Sequence, residues 1–192
     1  MKRDLVNIVQ DLHAMGLTTS ISGNHSFRTG RSSMWITPSG VPRYLMRPTD
    51  LVKVDLRTGK AVGRKEPSIE LEMHRRIYNR CSDVNSVIHT HSPFTIGVAI
   101  SSEFTQVIEE AKIVVGTPAV IPNQPSGSEQ LAESVAREFQ AGARAVVVKN
   151  HGVIAGGKDM HHARAIAESL EEWAKILFVA RTFGGVKDIL GD

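Results

Sequence analysis

The stretch VNSVIHTHSPFTIGVAI carries two histidines, His89 and His91, one residue apart inside an apolar run. VNSVIHTH has the composition of a buried strand, and Pro93 opens a helix over SPFTIGVAISS. Side chains alternate across a strand, so His89 and His91 project from one face and Thr90 from the other. A histidine there reads as a hydrogen-bonded core residue or as a metal ligand. Two on one face can converge on a single ion about 2 Å from each nitrogen.

The surrounding pattern alternates strands and helices. MKRDLVNIVQDLHAMG spaces Leu5, Ile8, Val9 and Leu12 as the buried side of an amphipathic helix, not as the unbroken apolar stretch of a signal peptide. TTSISGNHSFRTG reads as a polar loop, SSMWITPSG as a strand running into a turn, and DLVKVDLRTGKAVG as a hairpin. EPSIELEMHRRIYNR is predicted helical, opened by Pro67 and Ser68, with Ile69, Met73 and Ile77 four apart on its buried side. KIVVG and PAVIP read as short strands. SGSEQLAESVAREFQAG is a helix capped by Ser128 and stopped by Gly142. ARAVVVKNHGVIAGG reads as two strands broken near NHG. A final helix over about Met160 to Arg181 aligns Ala163, Ile166, Ala167, Leu170, Trp173, Ala174 and Leu177. A hairpin among alternating strands and helices predicts a layered α/β fold on a mixed sheet, in one domain over residues 1–192.

Composition excludes several classes of function. Hydrophobic residues make up 41% and charged residues 22%, as in a soluble protein, and no apolar run reaches the roughly 18–20 residues of a membrane helix. The single cysteine, Cys81, rules out an intrachain disulfide and fits a cytoplasmic location. The net charge is only +3, with arginines scattered from Arg28 to Arg75 and aromatics at 5%, so no nucleic-acid surface is expected. A mild positive balance suits a small anionic ligand.

The histidine pair needs a further ligand to make a metal site. His151, in KNHGVIAGG, is the candidate, at a strand break beside a glycine that permits close approach. Three neutral histidines with an open fourth position are the arrangement of catalytic zinc. Spacing alone does not bring His151 to the pair. His13, His25, His74, His161 and His162 read as core or surface residues. Catalysis also needs a proton carrier, and PSIELEMH offers Glu70 and Glu72, about 200° apart around a helix. Glu70 shares a face with His74 and the apolar stripe; Glu72 faces Arg75 and Arg76 as a surface ion pair. A carboxylate in an apolar site near a metal is the better general acid or base, which favours Glu70. ISGNHS, TPSG and the helix start after Pro67 each offer turn amides or hydroxyls to an anion, and together they suggest a phosphate monoester.

Taken in order, SGNHSFR, ITPSG, EPSIELEMHRRIY, VIHTHSP and NHG resemble the class II sugar-phosphate aldolases over about Asp4 to Arg181. That family also includes L-ribulose-5-phosphate 4-epimerase and methylthioribulose-1-phosphate dehydratase. The resemblance implies a three-layer α/β/α sandwich around a mostly antiparallel sheet. It implies one Zn2+ per subunit, with Mn2+ or Co2+ as substitutes, held by His89, His91 and His151. Glu70 becomes the proton-transfer residue and occupies the metal when substrate is absent. Gly23, Asn24, Ser39, Gly40 and Ser68 become phosphate contacts. The implied assembly is a homotetramer with active sites between subunits. The implied reaction is reversible cleavage of a ketose 1-phosphate, such as L-fuculose 1-phosphate, to dihydroxyacetone phosphate and an aldehyde.

Departures from the family pattern bear on specificity. Ile69 stands where a second serine often touches phosphate, and Ile21 stands where the fuculose enzyme has threonine. Tyr44 and Tyr78 match neither aldehyde-side tyrosine of the family, GGVKDILGD carries no aromatic, and the interval from the histidine pair lands near Glu110. Dehydration or 4-epimerisation on the same scaffold remains an alternative, although the epimerase typically has aspartate where Glu70 stands. A metal-binding protein without catalysis is the third reading.

Overall fold

A computed structural model describes residues 1–190; the last two positions of the expected domain and of GGVKDILGD lie outside the described residues. The strand predicted for VNSVIHTH is β5, Ser86–Thr90, with every residue buried. Two ladders enclose it. β1, Asn24–Thr29, pairs with it antiparallel on one side, and β8, Gly152–Gly157, on the other. Outward from β1 come β2, Ser33–Ile36, then β3, Val52–Asp55, and β4, Ala61–Val62. Outward from β8 come β7, Ala145–Val148, and β6, Ala119–Ile121. The sheet of eight strands is antiparallel except for the β6–β7 pair.

Helices cover both faces. α2, Leu71–Arg80, and α5, Glu129–Gln140, pack over Met34, Ile36, Val52, Val54, Val87, Val146, Val148 and Ile154. On the opposite face α1, Lys2–Ala14, α3, Pro93–Ser101, and α6, Met160–Thr182, bury Phe27, Ile88, Val147, Val153 and Ala155. The α6 stripe read from the sequence is buried as expected. Ser128 caps α5 by accepting from the Leu131 amide at 3.1 Å, and Gly142, at φ +100°, ends it. Among the described residues no helix is long and apolar enough to cross a membrane.

Three elements differ from the sequence reading. NHSFRT, expected in a loop, is β1; its polar side chains are buried because they bond to one another. KIVVG, expected as a strand, belongs to α4, Glu109–Val114, whose two glutamates suit a helix N-terminus and whose Ala111 is buried while Ile113 is exposed. α2 begins at Leu71, not at Pro67. Pro67 forms a bridge with Pro38, and the Ser68 amide donates to Thr37 O at 3.2 Å, which keeps that stretch extended. Ile69, expected on the buried stripe, is 68% exposed.

Candidate functional site

The site lies where β1, β5 and the β7–β8 turn meet the start of α2. His89 is paired with Asn24 and with Ile154, so its ring leaves the sheet on the α2 side. His91 lies one residue beyond β5, anchored by its amide to Leu17 O at 2.8 Å. His151 comes from the turn Lys149–His151, where Asn150 adopts φ 60°, a left-handed conformation that asparagine tolerates. Gly152 makes the approach possible: a Cβ there would lie 2.4 Å from Thr90 O and 2.8 Å from His89 Cε1.

The fold therefore brings together the three histidines that spacing left apart. One ring nitrogen from each of His89, His91 and His151 lies within 4.8 Å of the other two, the one such group among the described residues. His89 Nδ1 is 2.9 Å from Val153 O, so Nδ1–H donates and Nε2 faces the cluster. That Nε2 is 3.2 Å from His91 Nε2 and 3.1 Å from Glu70 Oε2; Glu70 Oε1 is 3.4 Å from His151 Nε2. Donors bonded to a tetrahedral zinc at about 2.0–2.1 Å stand about 3.3 Å apart, so the spacing fits such an ion. Glu70 Oε1 is buried with no hydrogen-bond partner among the described residues, a further polar atom that a cation would satisfy.

Electrostatics point the same way. Burial, reinforced by His89 and His151, pushes the His91 imidazole down to about 4. Burial, then His89, lowers His151 as well, leaving neutral rings with free lone pairs. Burial by itself would raise the Glu70 carboxyl, but His89, the Asn24 amide and His151 outweigh it and hold the group well below the usual carboxylate range. Glu70 is the N-cap of α2 and not a residue of its first turn, so its direction comes from the loop. Glu72 forms the expected surface pair, 2.8 Å from Arg75.

Above the histidines is a cavity of about 160 Å³, with Gly23, Asn24, Ser39, Gly40 and Ser68 in its wall. Gly23 has φ +72°, and a Cβ there would strike His89 O at 2.5 Å, so the sheet itself demands glycine. The amides of Glu70 and Leu71 already bond to Ser68, at 3.3 and 3.1 Å, so the α2 start offers an anion less than the sequence suggested. A larger groove, about 570 Å³ between α3 and α6, is lined by Phe94, Val98 and Phe178 and holds no ligand cluster.

Some residues at the site had no signal in the sequence. Arg43 is buried and donates to the carbonyls of Ile21, Ser22, Gly23 and Val41, stapling the SGN loop. Ser126 Oγ lies 3.3 Å from His151 Nε2. His74 is buried and hydrogen-bonded, as its core reading required, yet its partners are Asn24 and Ser26. Its spacing of four from Glu70 was the available hint.

Known proteins share this fold. Residues 3–178 match the family described as Class II Aldolase and Adducin N-terminal domain. The 5-deoxy-D-ribulose 1-phosphate aldolase of Bacillus thuringiensis serovar kurstaki is 31% identical over 97% of this chain and 88% of its own length. An L-fuculose phosphate aldolase of Methanococcus maripaludis is 33% identical over 92% of this chain and 97% of its own. A solved structure of L-fuculose 1-phosphate aldolase superposes with a TM-score of 0.88 at 30% identity, covering 100% of this chain and 90% of that one. By sequence and by fold, the chain belongs to the class II aldolase and adducin N-terminal domain family.

Proposed function

We propose that this chain is a zinc-dependent class II aldolase that reversibly cleaves a ketose 1-phosphate to dihydroxyacetone phosphate and an aldehyde. The observation that carries it is the Glu70 carboxylate, 3.1 Å from His89 and 3.4 Å from His151, in a cavity walled by loop hydroxyls and glycines. His89, His91 and His151 would hold the ion, with the Glu70 carboxylate beside them as a further ligand. A divalent ion there supplies Lewis acidity toward the substrate carbonyl and the negative charge that develops beside it.

The other steps belong to side chains. Gly23, Asn24, Ser39, Gly40 and Ser68 bind the phosphate and fix the reacting carbons over Glu70, which turns a bimolecular encounter into an oriented one. In the cleavage direction Glu70 delivers a proton to the carbon left electron-rich; in synthesis it removes that proton. Names among the relatives, 5-deoxy-D-ribulose 1-phosphate and L-fuculose phosphate aldolase, support a ketose 1-phosphate whose aldehyde half ends in a methyl group. The same proposal makes the chain one aldolase domain of a cytoplasmic homotetramer, with the exposed Phe94, Phe178 and Phe183 giving subunits an apolar face to cover.

The test is hydrogen exchange of dihydroxyacetone phosphate in heavy water, followed by NMR. Stereospecific loss of one hydroxymethyl proton, abolished by chelator and restored by zinc, is expected. No exchange from zinc-loaded protein would transfer the site to dehydration or epimerisation of a sugar phosphate.

A further inference from the structure

Behind Glu70 runs a line of buried polar side chains of which the reaction described so far uses only the first, Asn24. Asn24 Nδ2 lies 2.8 Å from Glu70 Oε2, and Asn24 Oδ1 lies 2.6 Å from His74 Nε2. His74 Nδ1 is 2.7 Å from Ser26 Oγ, which is 2.7 Å from the Tyr78 hydroxyl. Asn24, Ser26, His74 and Tyr78 are all buried, so each contact is made away from bulk water.

Chemistry fixes the direction of every bond in this line. An ionised carboxylate only accepts, so the Asn24 amide must turn its NH2 to Glu70. Its carbonyl oxygen then faces His74, and His74 must donate from Nε2–H. A neutral ring so protonated accepts at Nδ1 from the Ser26 hydroxyl, which leaves Ser26 to accept from Tyr78 O–H. Burial, with a smaller contribution from His89, pushes His74 down to about 3, in keeping with a neutral ring. All four donors point toward Glu70.

The result is a carboxylate with two unlike oxygens. Oε2 is held by the Asn24 amide, while Oε1 has no hydrogen-bond partner among the described residues. If the amide turned over, its oxygen would face the carboxylate and repel it. The donor on His74 holds the amide from its other end and adds to that preference.

We propose that His74 is a positioning residue: its Nε2–H locks the Asn24 amide, which anchors Glu70 Oε2 and leaves Oε1 as the oxygen that carries the proton. The inference rests on the aldolase reading for the reaction served, but not for the arrangement itself. In the proton-abstraction step the C–H electron pair stays on the substrate and the proton forms the O–H bond at Oε1. Ser26 and Tyr78 set the tautomer and never meet substrate.

Two measurements test it. Long-range 1H–15N NMR of the metal-free chain at pH 7 reads the His74 tautomer without any turnover; Nε2–H with a bare Nδ1 is expected, and Nδ1–H or a charged ring would overturn the proposal. Exchange kinetics of dihydroxyacetone phosphate on the zinc-loaded chain compare His74→Leu, which has no donor, with His74→Gln, whose amide nitrogen reaches the Nε2 position. The leucine variant is expected to lose about 10–100-fold in kcat with KM changed less than about threefold, and the glutamine variant to recover most of it. Equal kinetics for leucine and wild type, or equal losses in both variants, would overturn it. Absence of exchange in wild type would remove the aldolase reading and leave the tautomer to decide the arrangement. Should the leucine variant fail to fold, the NMR result and the glutamine variant still decide.

Discussion

Gly152 lies so close beneath the His89 ring that a methyl group on it would stand 2.8 Å from Cε1 and 2.4 Å from the carbonyl oxygen of Thr90. The second contact is with backbone, which has no rotamer to change. β5 and β8 would have to separate at Thr90–Val153, the pair next to both His89 and His151. Gly152→Ala is therefore expected to lower stability by about 1–3 kcal/mol and to weaken zinc binding at least about tenfold. Denaturant midpoints with chelator present, and titration against a zinc indicator, measure the two effects separately. Wild-type zinc affinity in the variant would show that the close approach of these strands does not set the histidine geometry.

Glu70→Gln keeps the size of the side chain and removes its capacity to take a proton. Exchange of dihydroxyacetone phosphate is expected to fall by about 10²–10⁴-fold, while zinc stays bound by the three histidines. Exchange within about threefold of wild type, on a zinc-loaded variant, would assign the proton to another group.

How much of this was legible in the sequence depended on what each residue answers to. His89, His91 and the layered fold were readable because strand alternation and helical spacing are local properties. Gly152 was readable as a point of close approach, although what it approaches was not. β1 was missed because NHSFRT has no apolar alternation: its inward residues, Asn24 and Ser26, are satisfied by His74, Tyr78 and Glu70 from elements 46 or more positions away. Glu70 was chosen on a helical face it does not occupy, since it caps α2 from outside. The choice agreed with the geometry because the residue four places on, His74, reaches the same polar cluster. Arg43 was invisible, because its task is to bond carbonyls that any loop sequence would supply.

Acid should unfold this protein earlier than its carboxylates alone would require. His25, His74, His91 and His151 all have pKa values lowered in the folded state, in each case chiefly by burial, from an unfolded value of 6.5. The unfolded chain therefore binds protons that the folded chain refuses. Stability from these groups is complete above pH 6.5 and is lost as pH falls from there toward about 4 for His91 and about 3 for His74. Between 6.5 and its folded value of about 3, the fully buried His74 ring contributes a slope approaching about 1.4 kcal/mol per pH unit. Guanidinium midpoints of the metal-free chain should decline between pH 7 and pH 5, and less steeply for His74→Gln. A flat midpoint over that range would mean these rings accept protons within the fold.

Arg43 supplies the last test, because its effect separates geometry from charge. Its guanidinium is 3% exposed and donates to four carbonyls of the segments that carry Gly23 and the cavity rim. Burial pushes it down to about 10, which leaves it charged at neutral pH. Arg43→Met would strand those carbonyls at a loss of about 1–3 kcal/mol and let the Ile21–Gly23 loop move. Because that loop is proposed to hold the phosphate and not the reacting carbon, KM for dihydroxyacetone phosphate should rise about tenfold while kcat for exchange stays within about threefold. Arg43→Lys keeps the charge but not the fork, and a single ammonium has no means to span four divergent carbonyls. The lysine variant should therefore behave like methionine in KM. Recovery of wild-type KM with lysine would instead make Arg43 a long-range attractor for the phosphate, and the loop would need no staple.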